Sequence, residues 1–510
     1  MILLSDYEKK LVIPRWLDYT KAAQTRELTF MARSSFVVTA STQKRIVADY
    51  SEFKDSPTPH KAADLMGAAF IVGDETMAKE LAQYVKRNAI LQKPVIELAH
   101  HILGEIQTPR LASNIRSRIA QSKLFLAEFP NNALGWIERA RCYTIDGQVE
   151  KANKCVSIAL NLAPSDRYIV RCAVRFYIHS DNIDQAWHCV KRASEVQFDP
   201  WIKATEISIA ELLNKSVKKL KGVIPTSGTP DHIFHYSELI ESFGMLELIN
   251  GNDHRAKKSF MLAWSNPSHN VVTHSEWIVR ARFPALANIA EGKFVESIEA
   301  TAWQKYHQMK IDEALVAALE WALEEPYARN AYSLASGIAF HNNNYDSAIN
   351  IVKEGLKSSP YDFGLQNNLC FGLLKKNLVD QAELELLKIT PPVGAASHVV
   401  YTATKGLLEY KKGNITKGRN LYFDAISGAD KLGDRRLCAN AFINFAIAEL
   451  DSNTVEAQEY ANAALKLSER LDDVSVALTR QLLNARLAES KQKMATLPFK
   501  EFHRPKILPP

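Results

Sequence analysis

Glu97 and His100 in "ELAHHIL" stand three residues apart, the spacing with which carboxylate di-metal sites place two ligands on one helix face. Such a site needs a second copy on a facing helix, and the sequence offers none, so a helix-surface pair is expected. His232 and His235 in "DHIFH" could share a metal only with further ligands, and a lone pair in a loop is expected instead. Ser216 and Lys219 match S-x-x-K, but the companion motifs S-D-N and K-T-G are missing. Phosphate-cradling G-x-x-x-x-G-K-[ST] and G-x-G-x-x-G, and the hydrolytic H-E-x-x-H and G-x-S-x-G, do not occur. Cys142, Cys155, Cys172, Cys189, Cys370 and Cys438 include no C-x-x-C pair and read as reduced packing residues. A non-enzyme without cofactor or metal is therefore expected. Residues 1–126 are the one region where a hydrolase or metalloenzyme site stays open.

Lys215, Lys218, Lys219 and Lys221 form a basic run that could contact phosphate, although no aromatic residues interleave with them. The 510-residue chain carries a formal net charge of +6, short of the basic balance of a dedicated nucleic-acid binder. No run approaches the roughly 18 apolar residues of a membrane span, and the opening "MILL" is too short for a signal-peptide core. A cytoplasmic chain without membrane contact is expected.

The elements that must position any site are helical. After residue 60, apolar residues recur at i, i+3, i+4 and i+7, as in "EKANKCVSIALNL" and "YDSAINIVKEGL". These stretches are short and come in pairs, and a lone pair cannot bury its apolar face. Pro130 and Pro164 lie 34 residues apart, as do Pro326 and Pro360. Between the first two stand Trp136, Tyr143, Gly147, Ala152, Val156 and Ala159. This pattern resembles the tetratricopeptide repeat, with Ala140 where the family usually has glycine. The template fits again at 167–200, 237–268, 295–328, 329–362, 363–394, 399–432 and 438–471. It breaks at 201–236 and at 271–294, where Pro284 should end or kink a helix.

The resemblance implies an all-α chain, a right-handed α-α superhelix built as a tetratricopeptide-like solenoid with a less regular N-terminal region. Residues 1–60 are expected to be an extended arm or small cap, with "SSFVVTASTQKRIVADYSEF" β-branched and polar. Residues 61–129 form a helical region, 130–471 the solenoid, 472–493 a capping helix and 494–510 an extended Pro-rich tail. In the family, the first helix of each pair lines a concave groove. Carried over, that groove offers Arg141, Arg171, Arg175 and His179 early, and Glu238, Glu241, Glu296, Glu299 and Trp303 in the middle. Later it offers Phe340, His341, Asn367, Phe371 and Lys375. The family's chaperone-tail clamp needs a lysine and an asparagine where this chain has Ile137 and Arg141, so that ligand is not expected.

The function implied is a scaffold or adaptor that holds a protein or extended peptide, as a subunit of a multi-protein assembly with an enzyme subunit among the candidate partners. The alternative is a nucleic-acid or nucleotide sensor using the early arginines and the 215–221 lysines.

Overall fold

The computed structural model describes residues 11–18, 40–72, 74–87, 93–103, 115–192, 199–215, 230–392 and 394–496, and among these there is no strand. The chain divides into two compact units. The N-terminal unit runs to Ala300 and is completed by Glu324–Tyr327; the C-terminal unit takes Thr301–Leu323 and the chain from Ala328 on.

The helices are α1 Ala40–Asp55, α2 Pro59–Val72, α3 Glu75–Arg87, α4 Lys93–Ile102, α5 Ile115–Glu128, α6 Ala133–Ile145, α7 Val149–Leu162, α8 Arg167–His179, α9 Ile183–Arg192 and α10 Pro200–Leu212. There follow α11 Pro230–Ile249, α12 Asp253–Ala263, α13 His269–Ala281, the single turn α14 Ala287–Ala290, α15 Ile298–His307, α16 Ile311–Glu324, α17 Arg329–His341 and α18 Tyr345–Ser358. The last seven are α19 Phe363–Lys375, α20 Val379–Lys388, α21 Ala395–Lys411, α22 Ile415–Lys431, α23 Arg435–Asp451, α24 Ala457–Ser468 and α25 Val474–Thr496.

The 34-residue interval has a backbone cause. The turn inside each pair needs one left-handed residue, so that the amide three positions past the helix can bond back to its last turn. Gly147, Asp181 and Asn214 take that conformation at intervals of 34 and 33 residues. Met309, Asn343 and Asn377 repeat it at intervals of 34. The closing bonds recur with them: Gln148 N–H to Tyr143 C=O at 2.8 Å, Asn182 to Tyr177 at 2.8 Å, Asn344 to Ala339 at 2.9 Å and Leu378 to Leu373 at 2.9 Å. Entry to the next pair is fixed by side-chain caps: Asn132, Asp166 and Asp362 accept from the amides of Gly135, Ile169 and Leu365.

Small residues let the paired helices approach. Ala152, Val156, Ala159, Ala186, Ala348 and Val352 are fully buried. Gly355 in α18 lies so close to α17 that a Cβ there would sit 2.8 Å from Tyr332 Cβ. Cys155 and Cys189 are buried at the same repeat position, and desolvation raises both thiol pKa values, that of Cys189 to about 12. They are protonated packing groups.

Two local expectations change. The stretch read as β-branched and polar is helical from Ala40, because Ile46, Tyr50 and Phe53 form an i, i+4, i+7 stripe packed with Leu65, Met66 and Leu81. Packing overrides local propensity there. His232 and His235, read as loop residues, lie in α11, and His235 Nδ1 accepts a bond from Trp201 Nε1 at 3.2 Å. Pro284 does follow a helix end: α13 stops at Ala281, and Pro284–Leu286 is a 3-10 turn. The Pro-rich tail from 497 onward lies outside the described residues.

Candidate peptide-binding site

In both units the first helices of successive pairs touch one another. In the N-terminal unit α6 contacts α8 and α8 contacts α10. In the C-terminal unit the series runs α17, α19, α21, α23 and α25, and α25 also touches α17. The series therefore closes around its own inner face.

The N-terminal unit spends its inner polar groups on itself. Arg171 is buried and pairs at both guanidinium ends with Glu238, at 2.8 and 3.0 Å, while stacking over Trp201 at 5.1 Å. Glu238 also accepts from Ser268 at 3.1 Å and Asn270 at 2.7 Å. Glu241 meets His274 Nδ1 at 2.8 Å and accepts from Trp264 Nε1 at 3.1 Å; burial raises its carboxyl pKa. Arg141 is 1 % exposed and bonds Glu138 and Asp18, at 2.9 and 2.7 Å. Burial opposes its charge, but Glu138 and Asp18 more than offset this and its pKa is raised. Arg175 lies over the Tyr327 ring at 5.4 Å, and His179 packs edge-on to the same ring.

Arg141, Arg171, Glu238 and Glu241, expected from the sequence to line a partner groove, are each paired inside the N-terminal unit. Arg171 and Glu238 answer each other, and each of the other two is satisfied by residues of the same unit. A buried ion needs a partner inside the protein, and these have one. Glu296 carries no described side chain, and Glu299 contributes to the electrostatic environment of Arg15.

The C-terminal unit differs. Phe340, His341, Phe371 and Lys375, four of the expected residues, line one cavity with about 600 Å³ of empty space counting its open mouth. Phe340 and Phe371 meet edge to face at 5.3 Å, and Lys375 Nζ lies 5.5 Å from the Phe371 ring. Desolvation lowers the Lys375 pKa to about 8 although Asp451 works against it. Desolvation also lowers His341 to about 3, so its ring is neutral at pH 7. His341 Nδ1 is buried and has no hydrogen-bond partner among the described residues. Asn367, one helical turn before Phe371, is 1 % exposed, and its Oδ1 is likewise unpaired. Trp303 lies elsewhere in this unit, buried against Tyr306 and His307 at 6.0 Å each.

The far wall was missed in the sequence. It consists of Asn440, Asn444 and Ile447 from α23 and Ser475, Thr479, Leu482 and Arg486 from α25. Thr479 Oγ1 donates to Asn440 Oδ1 at 2.6 Å, fixing the Asn440 amide. The available signal was the i, i+4 pair Asn440/Asn444 and the polar stripe Ser475, Thr479, Arg486 on a helix read only as a cap.

Of the basic run, Lys215 lies 3.8 Å from Asp184 and 5.0 Å from the Trp187 ring centre; Lys218, Lys219 and Lys221 fall outside the described residues. His100 is on α4, while the Glu97 side chain is not described. Among the described residues, no group of three or more His, Cys, Asp or Glu could hold a metal, and no helix is long and apolar enough to cross a membrane.

No family model matches the sequence, and no curated protein matches it at a significant level. Solved structures with similarity include a chain of the APC/C hetero-tetramer Cut9–Hcn1, at 14% identity over 96% of this chain and 98% of that one, with a TM-score of 0.44. Yeast Tom70 gives 13% identity, 86% and 96% coverage and a TM-score of 0.29. A human IFIT1 dimer with PPP-AAAA gives 12%, 91%, 99% and 0.27. What decides the fold is the chain's own geometry, with left-handed turns, caps and prolines recurring at 34 residues. The chain is a tetratricopeptide-like repeat array. In these tetratricopeptide-like repeats the second helices supply packing and the first helices supply the inner face, so the C-terminal cavity occupies the groove position.

Proposed function

We propose that the chain is a non-enzymatic scaffold that captures an extended peptide segment of a protein partner, and that it does so in the cavity of its C-terminal unit. The supporting observation is the composition of that cavity: an edge-to-face phenylalanine pair, a desolvated lysine, an arginine and two asparagines, with the buried His341 Nδ1 left without a bond. The phenylalanines suit an apolar side chain, and Lys375 with Arg486 suits a carboxylate. The six cysteines are unpaired thiols, in keeping with a reducing cytoplasm as the compartment. The role as an adaptor within an assembly follows from the same reading.

A random-peptide display library selected on the full chain tests this. The expected enrichment is for an apolar residue near an acidic one, and Phe371→Ala or Lys375→Met should reduce binding of the selected peptides by about tenfold or more. No enrichment, or enrichment indifferent to both substitutions, overturns the proposal.

A further inference from the structure

The N-terminal unit already holds a peptide, and it is the chain's own. Residues 11–18, "LVIPRWLD", form neither helix nor strand. Val12, Pro14, Trp16 and Asp18 are buried, while Ile13, Arg15 and Leu17 between them are half-buried. That alternation is the signature of an extended segment with every second side chain inserted.

The backbone and side chains of the segment are gripped separately. Tyr327 Oη accepts from the Trp16 N–H at 3.1 Å and donates to the Trp16 C=O at 2.9 Å, so one phenol satisfies both main-chain groups of one residue. Ser208 Oγ donates to the Val12 C=O at 3.1 Å. The Trp16 side chain is fully buried, edge-on to Phe176 at 6.4 Å and tilted against Tyr327 at 5.8 Å. Arg15 is held between Glu324 and Glu325, and Asp18 between Arg118 and Arg141.

The receptor side is supplied by α6, α8 and α10, through Arg141, Phe176 and Ser208, together with Tyr327. These are first helices, and Arg141 is a residue that the family resemblance assigns to a partner. The positions in contact are 100 to 311 residues away along the chain. Among the described residues, the side chains that grip the segment all come from far along the sequence. Main-chain bracketing plus pockets for alternate side chains is how extended peptides are recognised by other proteins.

We propose that the inner face of the N-terminal unit is a peptide receptor for extended segments of the type apolar–x–Pro–Arg–Trp–x–Asp, and that residues 11–18 are its resident, self-inhibiting ligand. A partner segment of that chemistry enters when the resident one leaves. The inference is independent of the C-terminal cavity and stands or falls without it.

A tethered ligand competes at an effective concentration of about millimolar, so the cis contact has to be weakened for binding in trans to be seen. The probe is the fluorescent octapeptide LVIPRWLD, titrated by anisotropy against the full chain and against the full chain carrying Arg15→Ala and Trp16→Ala. Binding to the variant at least about tenfold tighter than to the unsubstituted chain is expected. The same octapeptide with tryptophan replaced by alanine, or aspartate by asparagine, should lose that gain. Equal binding to both chains, or binding to neither, overturns the proposal.

Hydrogen exchange of the Trp16 amide in the unsubstituted chain gives a second reading that needs no variant. Exchange at least about tenfold faster than the slowest amides of α8, through local release, is expected. Exchange only with global unfolding, or loss of cooperative melting in the doubly substituted chain, makes the segment an integral part of the core and overturns the proposal.

Discussion

The two units build the same inner face from the same repeat and use it differently. In the N-terminal unit Arg171, Glu238, Glu241 and Arg141 are buried and paired, and residues 11–18 pack against α6, α8 and α10. In the C-terminal unit the inner face keeps a cavity with a desolvated lysine and a neutral histidine whose buried Nδ1 has no partner among the described residues. Polar residues at equivalent positions are thus structural when the fold supplies their counterparts and available for recognition when it does not. Residue type alone does not separate the two cases, since Arg171 and Lys375 are both cations on first helices.

The hardest test of the contrast is to break one pair. Arg171→Met leaves Glu238 charged and only partly compensated by Ser268 and Asn270, and should cost about 3–5 kcal/mol in chemical denaturation. Adding Glu238→Leu should recover most of that loss, because a buried pair replaced by apolar groups is close to neutral. If Arg171→Met is as stable as the unsubstituted chain, the N-terminal inner face is not structural and the contrast fails.

The contrast concerns inner faces only; the packing within pairs is expected to be as strict in the C-terminal unit. Gly355→Ala places a methyl 2.8 Å from Tyr332 Cβ and 3.0 Å from Leu365 Cδ1. It should destabilise by about 1–3 kcal/mol, read from the denaturation midpoint. An unchanged midpoint would mean that α17 and α18 can separate freely.

Met309 sharpens the reading of the repeat itself. It holds φ 60° where Asn343 and Asn377 hold the same left-handed turn. Met309→Asn should raise stability by about 0.5–1 kcal/mol, since asparagine tolerates that conformation better than methionine. A loss of stability would show that the methionine side chain, although exposed, contributes contacts worth more than the backbone relief.

The architecture was legible because its signals are local and periodic. Gly147, Ala152, Val156 and Pro164 each mark a turn, a close approach or a stop that the backbone requires at a fixed place. That Phe340, His341, Phe371 and Lys375 share one cavity wall was legible for the same reason: they follow from register on two successive first helices. Asn440 and Arg486 did not follow, because α25 meets α17 only after the series of helices closes, and that return depends on accumulated geometry. The fate of Arg141 was equally hidden. Asp18 lies 123 residues away in an arm with no helical period, and nothing near Arg141 announces it.

The last test separates a recognition residue from a structural one within the cavity by the sign of its effect. Lys375→Met removes a desolvated charge with no ion pair among its described contacts, so stability at pH 7 should not fall and should rise by up to the cost of that desolvation. Its pH dependence has a definite sign. The folded pKa of about 8 lies below the ordinary lysine value of 10.5, so between these values the unfolded chain binds more protons at this site. Its contribution therefore makes stability rise as pH climbs from about 8 toward 10.5, and Lys375→Met should lose that part of the slope. Binding of an acidic peptide runs the other way: it needs the ammonium form and should weaken as pH rises through 8. His341 works in the acid range by the same logic. With a folded pKa of about 3 against 6.5, its contribution to stability is full above 6.5 and lost as pH falls toward 3. Denaturation midpoints and peptide affinities measured from pH 6 to 10 on Lys375→Met and the unsubstituted chain would show both slopes. If the two chains are parallel in both measurements, Lys375 is neither desolvated nor in contact with the guest.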